Sequence, residues 1–415
     1  MAKKILVVGA GAAGMLAALF AARAGGDVTV LERNEKPGKK IYITGKGRCN
    51  VTNAAQGEDF MAKIVRNPRF LYASFAALSN QDLMQLLEEL GVALKTERGE
   101  RVFPASDKSS DIIAALRRGM EKSGVNVCYH TRVASLVRAE DRVSGVRLES
   151  GETLGADAVI LATGGVSYPS TGSTGDGLRF AAETGHAVEE PMPALVPIET
   201  RETWPGSLSG LSLKNVGLSA WRTGGKKGKC ICAQQGEMLF THFGVSGPMV
   251  LTLSSFLPRE LADVRMEIDL KPALDEQTLD ARLVRDFREL SKKQLATAMD
   301  GLEPHRLGMT LLDLAELSPA LPIHSVTQEQ RRRLGTLMKH LPLTPVARRG
   351  FEEAIITRGG VCVKEINPST MESRKVKGLY FAGEMIDVDA ETGGFNLQIA
   401  FSTGALAGKS AAEGF

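Results

Sequence analysis

The strongest constraint on this chain lies in its first thirty-two residues. Residues 5–8 (Ile5, Leu6, Val7, Val8) form a short apolar, β-branched run of the kind a parallel strand covered on both faces requires. The run leads directly into Gly9, Gly11 and Gly14, so a GxGxxG pattern falls at a strand-to-helix junction. Each glycine answers a steric demand: Gly9 permits the tight turn, Gly11 lets a pyrophosphate approach the backbone, and Gly14 lets the helix pack closely on the strand. A helix over 12–24 then aims its unpaired amides and positive dipole end at the phosphates. A second strand over 28–31 ends in Glu32, eighteen residues beyond Gly14, where an acid accepts hydrogen bonds from ribose hydroxyls. This order of elements predicts a dinucleotide-binding, Rossmann-like domain with an unphosphorylated adenosine ribose.

The rival reading is a secretory leader, because Lys3 and Lys4 precede an uncharged run to Ala22. Fingerprint-spaced glycines and a Glu-terminated strand are not what a leader requires, and that reading is rejected. At 415 residues the chain is long enough for two or three domains. Fifty-one basic against 48 acidic residues leave a net charge of only +3, so no global field points to nucleic acid. The clusters Lys226, Lys227, Lys229 and Arg331, Arg332, Arg333 read as solvated surface. Five scattered cysteines make no disulfide framework, and a reducing cytoplasmic location is expected. Cys230 and Cys232 lack a second pair, so no metal site is expected and they read as strand thiols.

Along the chain, Asn80 is expected to cap a helix stopped by Gly91, and Ser110 a helix stopped by Gly124. A third strand over 125–129, an alternating pair over 132–137 and 142–149, and a buried strand over 158–161 ending in Ala162, Thr163, Gly164 and Gly165 follow. That order is similar to flavoproteins of the glutathione reductase type. Gly172, Gly175 and Gly177 open the next helix; this TGDG stretch resembles one in fumarate reductase and aspartate oxidase flavoproteins, and reads equally as a tight packing loop or a substrate contact.

A proline-punctuated, β-rich region runs from 191 to 270, with strands over 216–221, 229–233 and 264–268 forming a small barrel or sandwich. Within it His242 precedes a helix start at Ser246, Gly247 and Pro248. Residues 271–344 turn helical, with apolar stripes at Leu279, Leu283, Phe287 and Leu290 and at Leu334, Leu337, Met338 and Leu341, and with Thr310 and Asp313 spaced as a capping box. The chain then returns to a short strand over 378–381, Gly383, Glu384, Asp387, and a final helix from about 396 to 412. A nicotinamide dinucleotide alone does not need that return. FAD is longer, and its ribityl chain and ring require contacts such as Glu384 and the first amides of the last helix, whose dipole stabilises anionic reduced flavin.

TGKGRCNVTN from Thr44, ATGG from Ala162, FTHFGVSGP from Phe240, TRGGVCVKEINPSTMES from Thr357 and GLYFAGEMIDVDAETGGFNLQIAFSTGALAG from Gly378 together closely resemble the BaiN/YhiN-like family of FAD-dependent oxidoreductases. The resemblance spans nearly the whole chain. It implies an α/β fold: a Rossmann-like FAD-binding domain from 1–190 and 345–415, a β-barrel-like insert over 191–270 on the substrate side, and a small helical subdomain over 271–344. Gly9, Gly11, Gly14, Glu32 and Arg33 would hold the ADP half, with Val133 bonding adenine through its backbone. Arg48, Cys49, Asn50, Thr163 and Gly164 would lie near the cofactor, and Gly383, Glu384, Asp387, Asn396 and Leu397 would hold the flavin half. Where the fumarate reductase group carries the histidine that binds FAD covalently, this chain has Gly47, Arg48, Cys49 and Asn50, so noncovalent FAD is expected.

The expected function is hydride transfer between flavin N5 and a small organic substrate, of the enone-reduction or amine-oxidation class, with NAD(P)H or oxygen as the other redox partner. No second GxGxxG domain is visible, so NAD(P)H would visit transiently. Arg48 is a candidate to orient substrate, Cys49 to modulate the flavin, and His242 or Tyr168 to supply a proton, each with a structural role as the alternative. No nucleic-acid or membrane partner is expected. The alternatives are a flavin-dependent tRNA-modifying enzyme and a noncatalytic flavin redox sensor.

Overall fold

The computed structural model describes residues 2–224 and 228–414, in two compact units: residues 1–194 with 350–415, and residues 195–349. Lys226 and Lys227 lie outside the described residues.

The first unit is built on a five-stranded parallel sheet. Its strands are β1 (Lys4–Val8), β2 (Asp27–Leu31), β3 (Asn126–Cys128), β4 (Ala158–Leu161) and, from the far end of the chain, Leu379–Phe381. Their order across the sheet is Leu379–Phe381, β4, β1, β2, β3, all pairs parallel. The register aligns the last residue of each strand in one row: Phe381, Leu161, Val8, Leu31 and Cys128. Consequently the segments after Val8, Leu31, Leu161 and Phe381 all emerge at the carboxyl edge, where open α/β sheets bind ligands. The ladder continues one residue further there, through Gly9 N to Leu31 O, Ala162 N to Val8 O and Ala382 N to Leu161 O, each 2.9 Å.

Helix α1 (Ala12–Arg23) and the final helix α2 (Phe395–Glu413) are both alanine- and glycine-rich, and they pack on each other. A Cβ on Gly404 would lie 2.3 Å from the Ala13 oxygen, and one on Gly408 2.1 Å from that of Ala17. These two glycines therefore set how closely the chain ends approach. The helix over 80–89 is capped by Ser79 in a reciprocal box with Asp82, one residue before the expected Asn80, whose side chain instead donates to Asn53 O and Ala55 O. Ser110 is likewise not the cap of the helix Ser109–Lys122: Lys108 occupies that position and makes no side-chain cap bond.

The second unit is one seven-stranded antiparallel sheet with helices on it. The strands run Leu341–Leu343, Val264–Asp269, Ser212–Arg222, Lys229–Thr241, Gly244–Ser246, Ile198–Thr200, Pro345–Arg348 across the sheet. The two edge strands are consecutive in sequence, separated by Thr344 alone, so the sheet curls almost closed, a barrel-like arrangement that shields its edges. Leu279, Leu283, Leu334 and Met338 from the helices share one core with Leu218, Met266 and Ile268 from the strands. Thr310 sits inside the helix His305–Leu314 and bonds back to Arg306 O, so it caps nothing; the box in this region is Thr327 with Gln330. Among the described residues no helix is long and apolar enough to cross a membrane.

Candidate active site

The glycine turn has the shape that the sequence spacing demands. Gly9 takes φ +100, and a Cβ there would come within 2.7 Å of the Ala162 oxygen; a Cβ on Gly14 would come within 1.8 Å of the Gly9 oxygen. Gly11 differs. Its φ of −79 suits any residue, and a Cβ there would meet nothing within 4 Å. Gly9 and Gly14 are therefore required by the fold, while Gly11 faces open space at the start of α1, where a pyrophosphate would be cradled.

Glu32 is buried beside this turn. Its Oε2 accepts from Ala10 N at 2.7 Å, and its Oε1 from Asn34 N and Nδ2 at 2.8 and 2.7 Å. A carboxylate has further lone pairs, and both oxygens retain capacity for ribose hydroxyls. Thr131 N donates to Glu32 O at 2.9 Å, which brings Val133, the first residue of the strand Val133–Ala139, within two residues of the acid. Arg33 turns away to Thr174 and Asp176, at 2.7 and 3.2 Å, and Arg132 also pairs with Asp176. A Cβ on Gly177 would come within 2.1 Å of the Thr163 hydroxyl. The TGDG stretch thus packs on Thr163 through Gly177 and is held at Asp176 by two arginines.

The far end of the chain supplies the other half. Glu384 follows Gly383 and lies in a network that the sequence did not disclose: its Oε2 pairs with Lys40 Nζ at 2.6 Å, and its Oε1 accepts from Ser167 Oγ and Thr357 N at 2.8 and 2.7 Å. Lys40 belongs to the short helix Lys39–Ile43, directly after Gly38. Thr357 in turn accepts from Val166 N and Ser167 N, and Gly165 leaves room for it. The ATGG and TRGG motifs therefore meet around one carboxylate, next to Gly164.

The TGKGRCN loop is held in left-handed backbone, with positive φ at Gly45, Lys46, Gly47 and Cys49. Such runs turn amides into a concavity and store strain at functional sites. The candidate side chains on it behave differently from their expected roles. Arg48 is engaged by Glu97 and by Asp107, with its guanidinium 4.2 Å from the Phe103 ring, so it anchors the loop. Cys49 is fully buried, and desolvation pushes its thiol up to about 12, far from a reactive thiolate. Asn50 presents a buried Oδ1 with no hydrogen-bond partner, the one group on the loop that fits an arriving donor.

Next to it, Gly394 packs against the Thr52 oxygen and caps α2. Gln398 is the first residue of that helix to donate into it, to Gly394 O, so the amides of Phe395, Asn396 and Leu397 are the orphan donors of its first turn. The Asn396 side chain is itself committed, bonding Ala390 and Glu391. Asp387 is buried and accepts from Asn67 at 3.2 Å. Tyr168 is half-buried with φ +50, and His242 belongs to the second unit, exposed in the turn after the strand Lys229–Thr241 and stacked edge-on with Phe243. Within the first unit, the Gly11 cradle, Glu32, Glu384, the Asn50 oxygen and the α2 amides suit a cofactor with a nucleotide at one end and a hydrogen-bonding ring at the other.

Comparison with known proteins agrees. The chain matches the model described as HI0933-like protein Rossmann domain over residues 3–410. It is 32% identical over 424 residues to the 3-dehydro-bile acid delta(4,6)-reductase of Clostridium scindens, covering 99% of both chains. It is 31% identical over 405 residues to the ribosomal RNA dihydrouridine synthase of Haemophilus influenzae, covering 96% of both. Among solved structures, the E. coli quinol fumarate reductase FrdA superposes with a TM-score of 0.53 at 16% identity, covering 99% of this chain and 70% of that one, which is a likeness of fold. The chain belongs to the HI0933-like Rossmann family and is an FAD-dependent oxidoreductase.

Proposed function

We propose that this protein binds FAD noncovalently and reduces a carbon–carbon double bond conjugated to a carbonyl in a small organic substrate, drawing electrons from NAD(P)H. The observation that carries the reading is the two-ended cradle, open at Gly11 and lined at its other end by Glu384 and the α2 amides, on a chain similar throughout to a delta(4,6)-reductase. A double bond beside a carbonyl accepts hydride because the negative charge it leaves is delocalised onto oxygen.

Bound flavin would supply the hydride. The chain's residues do the rest. The Gly9 to Gly14 turn and the α1 amides would hold the pyrophosphate, and Glu32 would hold the ribose. Glu384, fixed by Lys40 and Ser167, would receive the ribityl hydroxyls, and the orphan amides at the start of α2 would hold the ring end of the cofactor, where their dipole would favour negative charge. Arg48, Cys49 and His242 are given no chemical step.

Two relatives named as ribosomal RNA dihydrouridine synthases, both 31% identical over nearly the whole chain, favour a second reading. Dihydrouridine also arises by saturating a double bond conjugated to a carbonyl, so the chemistry is shared and the substrate is not. One experiment separates the readings: the flavin is reduced anaerobically with NADH or NADPH, then challenged with a steroid-type enone, an amine, oxygen or ribosomal RNA. Reoxidation by the enone with formation of its saturated product supports the proposal. Failure with the enone, together with dihydrouridine formed in the RNA, replaces it with the second reading.

A further inference from the structure

The loop that follows the short helix Lys39–Ile43 carries groups that neither half of the cradle uses. Gly45, Lys46 and Gly47 all lie in left-handed backbone, and among the described residues their amides donate to no acceptor, which leaves three successive donors free for an anion. Gly47 O accepts from Ser109 N at 2.9 Å and Tyr42 O from Ser109 Oγ at 3.1 Å, so Lys108 and Tyr42 are tied to the same turn. Tyr42 is 39% exposed, with Lys36 Nζ 4.8 Å from the centre of its ring. The helix touches both ends of the cofactor cradle: Gly38 N, at its start, donates to Ala10 O at 2.9 Å, and Lys40 Nζ pairs with Glu384 at 2.6 Å. The patch therefore lies at the rim of the site.

Lys36, Lys46 and Lys108 are exposed, and none of them forms an ion pair among the described residues. The acids around them are already taken: Glu35 pairs with Lys39 at 2.9 Å, while Glu97 and Asp107 are shared by Arg48 and Lys95. Asp111, bonded by the Ser106 hydroxyl at 2.6 Å, offsets one of the three charges, and an excess of positive charge remains. An exposed aromatic ring amid free amides and unpaired ammonium groups suits a heterocycle that carries phosphates, because the ring stacks while the phosphates take the amides and cations.

We propose that the Gly45–Gly47 amides, Lys46 and Lys108 hold the pyrophosphate of NAD(P)H while it reduces the flavin, with Tyr42 and Lys36 receiving its adenosine end. This rests on the reduction proposed above, for which it names the place where the electron donor docks. The sequence has no second GxGxxG turn to cradle that donor, so its phosphates need another set of amides and cations. Ribosomal RNA offers the same chemistry, but an RNA face needs a continuous basic surface, whereas this patch offers three lysines in a chain whose net charge is +3.

The test uses the FAD-loaded protein, the double variant Lys46→Ala with Lys108→Ala, and the charge-keeping pair Lys46→Arg with Lys108→Arg. In anaerobic stopped flow, the apparent Kd for NADPH and NADH, read from flavin bleaching, should rise by about tenfold or more in the alanine pair, with the limiting rate within about threefold of wild type. The arginine pair should recover most of the affinity, and Tyr42→Ala should weaken binding by about fivefold or more. Added salt should weaken the wild type and affect the alanine pair far less. FAD content should match wild type throughout. Unchanged affinity for both nucleotides in the alanine pair would overturn the proposal. So would loss of FAD, which would place the loop on the resident cofactor, or a defect confined to ribosomal RNA binding, which would place RNA there. No enone enters the assay, so failure of the substrate reading leaves the result untouched. If neither nucleotide reduces the wild-type flavin, the electron donor named above fails separately; calorimetric binding of NADP+ that weakens in the alanine pair would then support the patch, and no binding would sink it.

Discussion

Gly408 lies so close to Ala17 that a Cβ on it would stand 2.1 Å from the Ala17 carbonyl oxygen, joining helices that open and close the chain. A methyl group cannot be accommodated against backbone, so Gly408→Ala must push α2 off α1. Overpacking of this kind costs about 1–3 kcal/mol, and Gly408→Val more. Urea unfolding should show the loss. Because the α2 amides reach the site only while α2 is seated, FAD retention should fall with it, whereas an unchanged midpoint in Gly408→Val would mean that the helices do not meet here.

Gly11 and Gly14 separate the two uses of the fingerprint. Gly14→Ala would drive a methyl into the Gly9 oxygen and should destabilise the apoprotein. A Cβ at Gly11 meets no protein atom within 4 Å and needs no unusual backbone, so the Gly11→Val apoprotein should keep its melting temperature while FAD retention is lost. Thermal scans of apoprotein beside the released-flavin yield give both readings. A Gly11→Val protein that stays fully yellow would show that no phosphate lies there.

Much of this was legible in the sequence for a physical reason. The strands over 5–8 and 158–161 are covered on both faces, so their apolar runs are continuous, and the structure reproduces the second without a shift. Pro248 after Gly247 starts its helix as expected. What stayed hidden depends on contacts between distant residues. Glu384 was legible after its strand and glycine, but its partners Lys40, Ser167 and Thr357 are unremarkable singly, and only the sheet's carboxyl edge assembles them. Thr310 and Asp313 had capping-box spacing, yet spacing cannot tell a cap from a threonine bonding back along its own helix.

Cys49 should prove chemically silent. Its burial keeps the thiol protonated, so a maleimide should label exposed Cys230 quickly and Cys49 only after unfolding. Cys49→Ser should bind FAD and turn over within about threefold of wild type, as expected where a thiol takes no chemical step. Peptide mapping after timed labelling reads the first outcome. Rapid labelling of Cys49 in the folded protein would return it to the list of reactive groups.

Asp389 is 1% exposed, and its burial makes stability depend on pH with a definite sign. Its folded-state value, about 6, lies above the ordinary 3.8, so the folded protein binds this proton more tightly than the unfolded chain. The resulting stability is present below the ordinary value and is lost as pH rises through about 6. Asp387 shifts in the same direction. Asp389→Asn removes the titration and should gain about 2–3 kcal/mol relative to wild type between about pH 4 and pH 7. Urea midpoints at both pH values measure this, and a difference that shrinks toward neutral pH would contradict the burial argument.

Lys40 and Glu384 meet at 2.6 Å with both side chains about three-quarters or more buried, which makes their pairing stronger than that of an exposed pair. Removing the cation with Lys40→Met leaves a carboxylate held by Ser167 and the Thr357 amide alone, free to take a proton or a new rotamer. If Glu384 receives the ribityl chain, FAD affinity should fall by about tenfold, or 1.4 kcal/mol, with the apoprotein still folded. Lys40→Arg retains the charge and should recover most of that loss. Equilibrium titration of apoprotein with FAD separates these outcomes: equal weakening by Met and Arg would mean that the ammonium geometry, and not the charge on Glu384, is what the site requires.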